Sequence, residues 1–337
     1  MSYRRCLATL APLAADEMEL GYRKTALKKL FGTTDIKLPL TFSRREFFTK
    51  SAQYTRGLSI SGVQQKLSLR LNPETRELEP TAEGGEFILK PSPEEYPHAA
   101  ENEHAAMLAS ERIGIETANR TLVAFKDGEL AYLTRRFDRQ ADGSKIHQED
   151  IMQISGMPPA GKYALSYELA GTKIDAATFG KMAVKLDLFK RVLFSYVIGN
   201  DDLHMKNLSL QRVDDAPGGY FDKLTPSYDV LFVQAFEASK NGQFLACDLL
   251  TDPESGEEAF TEHYAHYGFY TGYDFLELGR RYGLRAATVI KAIRDQVKKQ
   301  DEILDVIASS YMPEVMKQEA ASLVKGRTRA ISTGVDR

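Results

Sequence analysis

The chain has 337 residues, of which 43% are hydrophobic and 27% charged, and its net charge is -3. That length accommodates two lobes and a sizeable core, and the balanced charge excludes a global basic field of the kind that draws nucleic acid. Two cysteines, Cys6 and Cys247, supply neither a disulfide framework nor a zinc-ligand spacing, which suits a reducing cytoplasm.

No apolar run has the length of a membrane span. Arg4 and Arg5 before the run 6–15 give a weak likeness to a signal peptide, which Thr9 and Pro12 weaken further. Residues 1–50 read as a lead-in. Within it, 16–31 has helical character on a stripe of Leu20, Leu27, Leu30 and Phe31. The basic residues Arg23, Lys24, Lys28 and Lys29 read as its solvated face.

Residues 57–72 predict strand, turn, strand, with clear alternation over 66–71. A short strand follows over 86–90, stopped by Pro91, and then a helix over 101–113 with Ala105, Leu108, Ala109 and Ile113 inward. Strands over 120–125 and 130–136 flank the turn Lys126-Asp127-Gly128. From about residue 147 the pattern turns helical. A long amphipathic segment covers 179–198, and 273–308 reads as two helices split near Gly283. The whole predicts an α+β chain of two lobes: a β-rich N-lobe over 1–140, a helical C-lobe over 141–325 and a frayed polar tail over 326–337.

The chemistry concentrates in Val197 to Leu210, where an apolar run enters the polar cluster Gly199-Asn-Asp-Asp-Leu-His-Met-Lys-Asn207. Protein kinases place a catalytic Asp five residues before a metal-binding Asn and carry a later metal-binding Asp. That spacing selects Asp202 over its neighbour Asp201 as the proton-accepting carboxylate and makes Asn207 and Asp229 the magnesium ligands. A carboxylate in the apolar stretch 228–232 is costly without a metal or partner. His204 is a candidate for the phosphates, or else stabilises the loop.

Upstream, Ser59-Ile-Ser-Gly-Val-Gln-Gln-Lys66 is a candidate phosphate cradle. Gly62 permits close approach, Val63 follows it, and Lys66 stands at the end of the turn. An apolar strand ending in Lys90 matches the kinase strand whose lysine pairs the nucleotide phosphates, and Glu103 or Glu101 on the next helix is placed to hold it. A rival reading assembles Asp201, Asp202, His204 and Asp229 as a metal-hydrolase site, but it leaves Lys90 and Lys66 idle.

Seven ordered motifs between residues 57 and about 235 resemble the HipA family of bacterial toxin kinases. They are 59–66, 87–90, 101–104, 136–139, 147–150, 199–207 and 226–231. The resemblance implies a Ser/Thr kinase fold using ATP and Mg2+, with Asp202 catalytic, Asn207 and Asp229 on the metal, and Lys90 on the phosphates. It places Arg135 to Phe137 where the hinge strand meets adenine. It also implies autophosphorylation of Ser59, with Ser61 as a second hydroxyl. Members usually carry about a hundred residues before the loop, whereas some fifty-eight stand here. The chain is therefore similar to HipT, the kinase of three-part systems with a separate small HipS protein and a helix-turn-helix HipB partner. DNA contact then runs only through the HipB-like protein, and a small partner is expected to cover an apolar patch on the N-lobe.

The substrates implied are aminoacyl-tRNA synthetases, the tryptophanyl enzyme foremost for the HipT type. The chain contains no tryptophan, although about four are expected at this length. The alternatives are a kinase of the same fold acting on a small molecule and a catalytically silent partner of a repressor.

Overall fold

The computed structural model describes residues 2–54, 65–140, 143–212, 219–239 and 242–335. Ser59, Ser61, Gly62 and Val63 lie outside the described residues. The chain divides into two compact units. Met1–Leu108, Ala118–Ser144 and Ala308–Pro313 make the first, and Ala109–Thr117, Lys145–Ile307 and Glu314–Arg337 the second.

The first unit is built on strands β1 (Leu67–Leu71), β2 (Leu78–Pro80), β3 (Phe87–Pro91), β4 (Arg120–Ala124) and β5 (Leu130–Arg135), with helices α1 (Lys24–Phe31), α2 (Arg44–Tyr54) and α3 (Ala99–Arg112). The strands form one antiparallel sheet in the order β2-β1-β3-β5-β4. Leu67 and Leu69 alternate inward along β1, as a half-buried strand requires. Pro91 closes β3 as its last paired residue, opposite Ala131, rather than stopping the strand before it. At that end the missing N–H costs the ladder little.

The helical character expected over 16–31 is realised only from Lys24. Gly21 adopts a positive φ of 83° under the Tyr3 ring, where a Cβ would come within 2.6 Å of that ring. Nor is the N-terminal segment a mere lead-in. Cys6 and Leu7 are buried, the Leu122 N–H donates to the Leu7 carbonyl at 3.0 Å, and the Tyr22 phenol donates to the Leu122 carbonyl at 2.6 Å. It thus lies along β4. Among the described residues this unit exposes one large apolar side chain, Phe48, so those residues alone do not make the apolar patch expected on the N-lobe.

The second unit comprises β6 (His147–Asp150), β7 (Ser209–Arg212) and β8 (Lys223–Leu224) in one sheet, β9 (Leu250–Thr251) paired with β10 (Glu258–Ala259), and eight helices among the described residues. These are α4 (Ile151–Ile154), α5 (Tyr167–Ala177), α6 (Met182–Ile198), α7 (Glu262–Tyr267), α8 (Gly272–Arg281), α9 (Ala286–Lys298), α10 (Gln300–Ser309) and α11 (Glu314–Ser332). The stretch 273–308 is thus covered by three helices rather than two.

Helix α6 forms the centre, with Leu188, Phe189, Val192 and Val197 fully buried. Each such side chain contributes roughly 1.5–3 kcal/mol. The frayed tail expected from residue 326 is instead the end of α11. Arg327, Thr328 and Ile331 are buried there, and Val335 beyond it is 3% exposed. Its charge hides an apolar stripe of Ala320, Val324 and Ile331. Gly272 at the start of α8 is packed so closely against Ile331 and Val335 that a Cβ would lie 2.2 Å from Val335 Cγ2. No described helix is long and apolar enough to cross a membrane.

Candidate active site

In the first unit, β3 and α3 bring two charges together. Lys90 stands opposite Tyr132 of β5, its Nζ 2.9 Å from Glu103 Oε1 and 5.5 Å from the Tyr132 ring centroid. The Lys90 side chain is 12% exposed and that of Glu103 only 1%. Glu101 faces the other way, toward His98 Nδ1 at 3.2 Å. His104 is buried beside them and its Nε2 lies 3.3 Å from the Ala8 carbonyl. Burial first, and Arg120 second, push its pKa down to about 3, so it serves as a neutral core residue. Lys66 precedes β1, and its carbonyl accepts from the Ser51 hydroxyl at 3.4 Å.

Arg135 ends β5 with its guanidinium on the Leu30 carbonyl at 3.3 Å, which commits its head group to α1. The segment that follows, with Phe137 in it, is tied down by Asp138. Burial alone would raise that carboxyl, but Arg136 and Arg139, 2.6 Å away on either side, hold it below its ordinary value.

In the second unit, α6 delivers the chain into the loop 199–207. Gly199 ends the helix with φ 70°, the left-handed conformation that glycine adopts cheaply. The loop then closes on Asp202. Its N–H donates to Asn200 Oδ1 at 3.3 Å. Its carbonyl accepts from the His204 N–H at 2.8 Å and from Asn207 Nδ2 at 3.0 Å. The five-residue spacing therefore has a physical meaning: the Asn207 amide reaches back to the carbonyl of the carboxylate-bearing residue.

Distant residues pin the rest of this backbone. The Tyr167 phenol donates to the Leu203 carbonyl and the Tyr228 phenol to the Lys206 carbonyl, both at 2.9 Å. The Met205 N–H donates to the Lys162 carbonyl at 3.1 Å.

The two adjacent aspartates part company. The Asp202 side chain is 50% exposed, and its Oδ1 accepts from the Tyr163 phenol at 2.8 Å. Asp201 is buried and faces Gln234 Nε2 at 3.4 Å, and burial raises its carboxyl above the ordinary range despite that donor. Arg327 braces Gln234. One guanidinium nitrogen donates to Gln234 Oε1 at 2.5 Å, and the other donates to the Tyr196 and Phe244 carbonyls.

His204 is nearly buried, with its Nε2 3.9 Å from Asp202 Oδ1 and its Nδ1 without a hydrogen-bond partner among the described residues. Burial lowers its pKa against the pull of Asp202, which favours the neutral ring. Asp229 has a positive φ of 55°, a conformation that aspartate tolerates better than most residues, and its charge bears on both His204 and Tyr228.

With its Nδ2 spent on the Asp202 carbonyl, Asn207 keeps its side-chain oxygen as a hard donor, and the Asp229 carboxylate has the same chemistry. Magnesium typically takes one or two protein oxygens and fills its shell from phosphates and water. Among the described residues no three His, Cys, Asp or Glu side chains gather as a metal cluster. The hydrolase set of Asp201, Asp202, His204 and Asp229 is thus not assembled. Tyr163, Gln234 and Arg327 belong to the neighbourhood of the loop, yet no spacing rule in the sequence points to them.

The HipA-like C-terminal domain family matches residues 58–303. A Haemophilus influenzae protein, named as a candidate kinase, is 33% identical over 324 residues, covering 92% of each chain. The serine/threonine-protein kinase toxin HipA of Shewanella oneidensis is 29% identical over 220 residues, which is 59% of this chain and 48% of that protein. The structure of Shewanella oneidensis HipA, solved with HipB and operator DNA, superposes with a TM-score of 0.63 at 24% identity, covering 83% of this chain and 66% of the other. The fold is that of a two-lobed, kinase-like α+β protein.

Proposed function

The chain belongs to the HipA-like C-terminal domain family, and from that premise we propose that it is a Ser/Thr protein kinase toxin that uses ATP and magnesium. The observation that carries this reading is the loop 199–207, in which one half-exposed carboxylate, Asp202, is set on a backbone held by Asn200, His204 and Asn207. When bound, Mg-ATP supplies the phosphoryl group and neutralises the charge on its phosphates. The residues of the chain bind, orient and accept a proton. Lys90, fixed by Glu103, pairs with the nucleotide phosphates, and Lys66, Gly62 and Val63 form their cradle. Arg135 and Phe137 meet the adenine through main chain, since the Arg135 guanidinium is engaged elsewhere. Asn207 and Asp229 hold magnesium, His204 borders the phosphates, and Asp202 orients the acceptor hydroxyl and takes its proton.

The finer identity is the HipT type, supported by the paired serines of the 59–61 segment. Self-phosphorylation of Ser59 or Ser61 adds nearly two negative charges beside the nucleotide phosphates and so inhibits. The target is an aminoacyl-tRNA synthetase, with the tryptophanyl enzyme favoured because a chain without tryptophan can be made while tryptophan charging is blocked. The partners are a small HipS-like protein, docking on the first unit, and a HipB-like protein that alone touches DNA. The setting is the cytoplasm.

The test is a panel of purified synthetases incubated with the chain and γ-labelled Mg-ATP. Label should enter the tryptophanyl enzyme and fall by at least about 100-fold with Asp202→Asn, the scale of a lost general base. Label in another synthetase alone would refute the target, and label in none would refute the substrate class.

A further inference from the structure

We propose that Tyr163 is a positioning residue for the transfer step, its phenol holding the Asp202 carboxylate in the orientation that receives the acceptor proton. This inference rests on the kinase reading of the same loop. The bonds from Asn200, His204 and Asn207 all fix the Asp202 main chain, and none reaches its carboxylate. His204 Nε2, at 3.9 Å, is beyond hydrogen-bond reach. A half-exposed carboxylate on a fixed backbone still turns about its side-chain torsions. The Tyr163 phenol, at 2.8 Å from Oδ1, removes that freedom and leaves Oδ2 for the incoming hydroxyl.

Tyr163 is itself well held. The Lys162 ammonium lies 4.7 Å from its ring centroid, and its ring meets that of His204 edge-on at 5.4 Å. The Lys162 carbonyl takes the Met205 N–H, so the segment carrying the phenol is stitched to the loop it serves. Burial, then the hydrogen bond to Asp202 and the charge of that carboxylate, raise the phenol's pKa well above its ordinary value, which keeps it a proton donor throughout the neutral range. Tyr163 is 48% exposed, so its hydroxyl can be removed without opening the core.

The experiment compares wild type, Tyr163→Phe and Asp202→Asn, each dephosphorylated beforehand. It follows phosphate from γ-labelled Mg-ATP into tryptophanyl-tRNA synthetase and into the chain itself. For Tyr163→Phe, kcat should fall about 10- to 100-fold, the value of a hydrogen bond to a charged group, while KM for ATP stays within about twofold and the melting temperature is unchanged. An active wild type with Tyr163→Phe at the same kcat, or faster, overturns the positioning role alone. A loss of activity matched by a lower melting temperature and a higher KM for ATP overturns it in favour of a structural role. A wild type that moves phosphate to neither acceptor overturns the kinase reading and this inference with it.

Discussion

Lys90 and Asp202 are fixed by opposite means. Lys90 sits on a regular strand, opposite Tyr132, and its head group is paired with one buried carboxylate, Glu103. Asp202 sits on irregular chain that makes no ladder. There the backbone is held by many neutral hydrogen bonds, one given to the Asn200 side chain and others received from His204, Asn207, Tyr167 and Tyr228, while the side chain stays half in solvent. A charge required at one place is economically set by a sheet and a counter-charge. A carboxylate that must meet a substrate cannot be buried or neutralised, so its frame has to be held through its backbone.

The comparison predicts unequal responses to single substitutions. The largest belongs to the first unit. Lys90→Ala removes the cation 2.9 Å from Glu103, which is 1% exposed, and breaking such a buried pair costs about 3–5 kcal/mol. Urea unfolding should show it, and the double variant Lys90→Met, Glu103→Leu should recover much of the loss. Equal loss in both variants would mean that packing, rather than charge, sets the cost.

A smaller effect is expected at the loop. Arg327→Met removes the donors to the Tyr196 and Phe244 carbonyls and to Gln234. The Tyr196 carbonyl keeps the Gly199 N–H while the half-buried Phe244 carbonyl and Gln234 lose a charged donor, so stability should fall by about 1–3 kcal/mol. Because Gln234 then loses its brace beside Asp201, kcat should drop further than KM for ATP changes. An unchanged kcat in the folded variant would show that the loop keeps its shape without α11.

The same contrast explains what the sequence could reveal. Strand alternation, the apolar run before Lys90 and the helix carrying Glu101 and Glu103 are local patterns; with the kinase template they point to Lys90, while the choice of Glu103 over Glu101 comes from the structure. The Asp202-to-Asn207 spacing is also local, because a side-chain amide spans five residues only when the chain between them turns back. The braces of the loop are non-local. Tyr163 lies thirty-nine residues from Asp202 and Arg327 lies ninety-three from Gln234, and neither residue type announces its partner. The polar end of the chain misled for a related reason. Lys325, Arg327 and Arg329 gave it the look of a solvated tail, yet Arg327 spends its charge on buried carbonyls. The helix begins at Lys24 rather than at residue 16 because the left-handed turn at Gly21 is invisible to an apolar stripe.

The most direct test of the central claim, that this chain moves a phosphoryl group through Asp202, is the intact mass of wild type and Asp202→Asn after phosphatase treatment, repurification and incubation with Mg-ATP. The wild type should gain one or two phosphates, mapped to Ser59 or Ser61, and the variant none. A dephosphorylated wild type that gains no phosphate on itself or on any synthetase offered to it would contradict the account, as would a variant that gains phosphate as readily as the wild type.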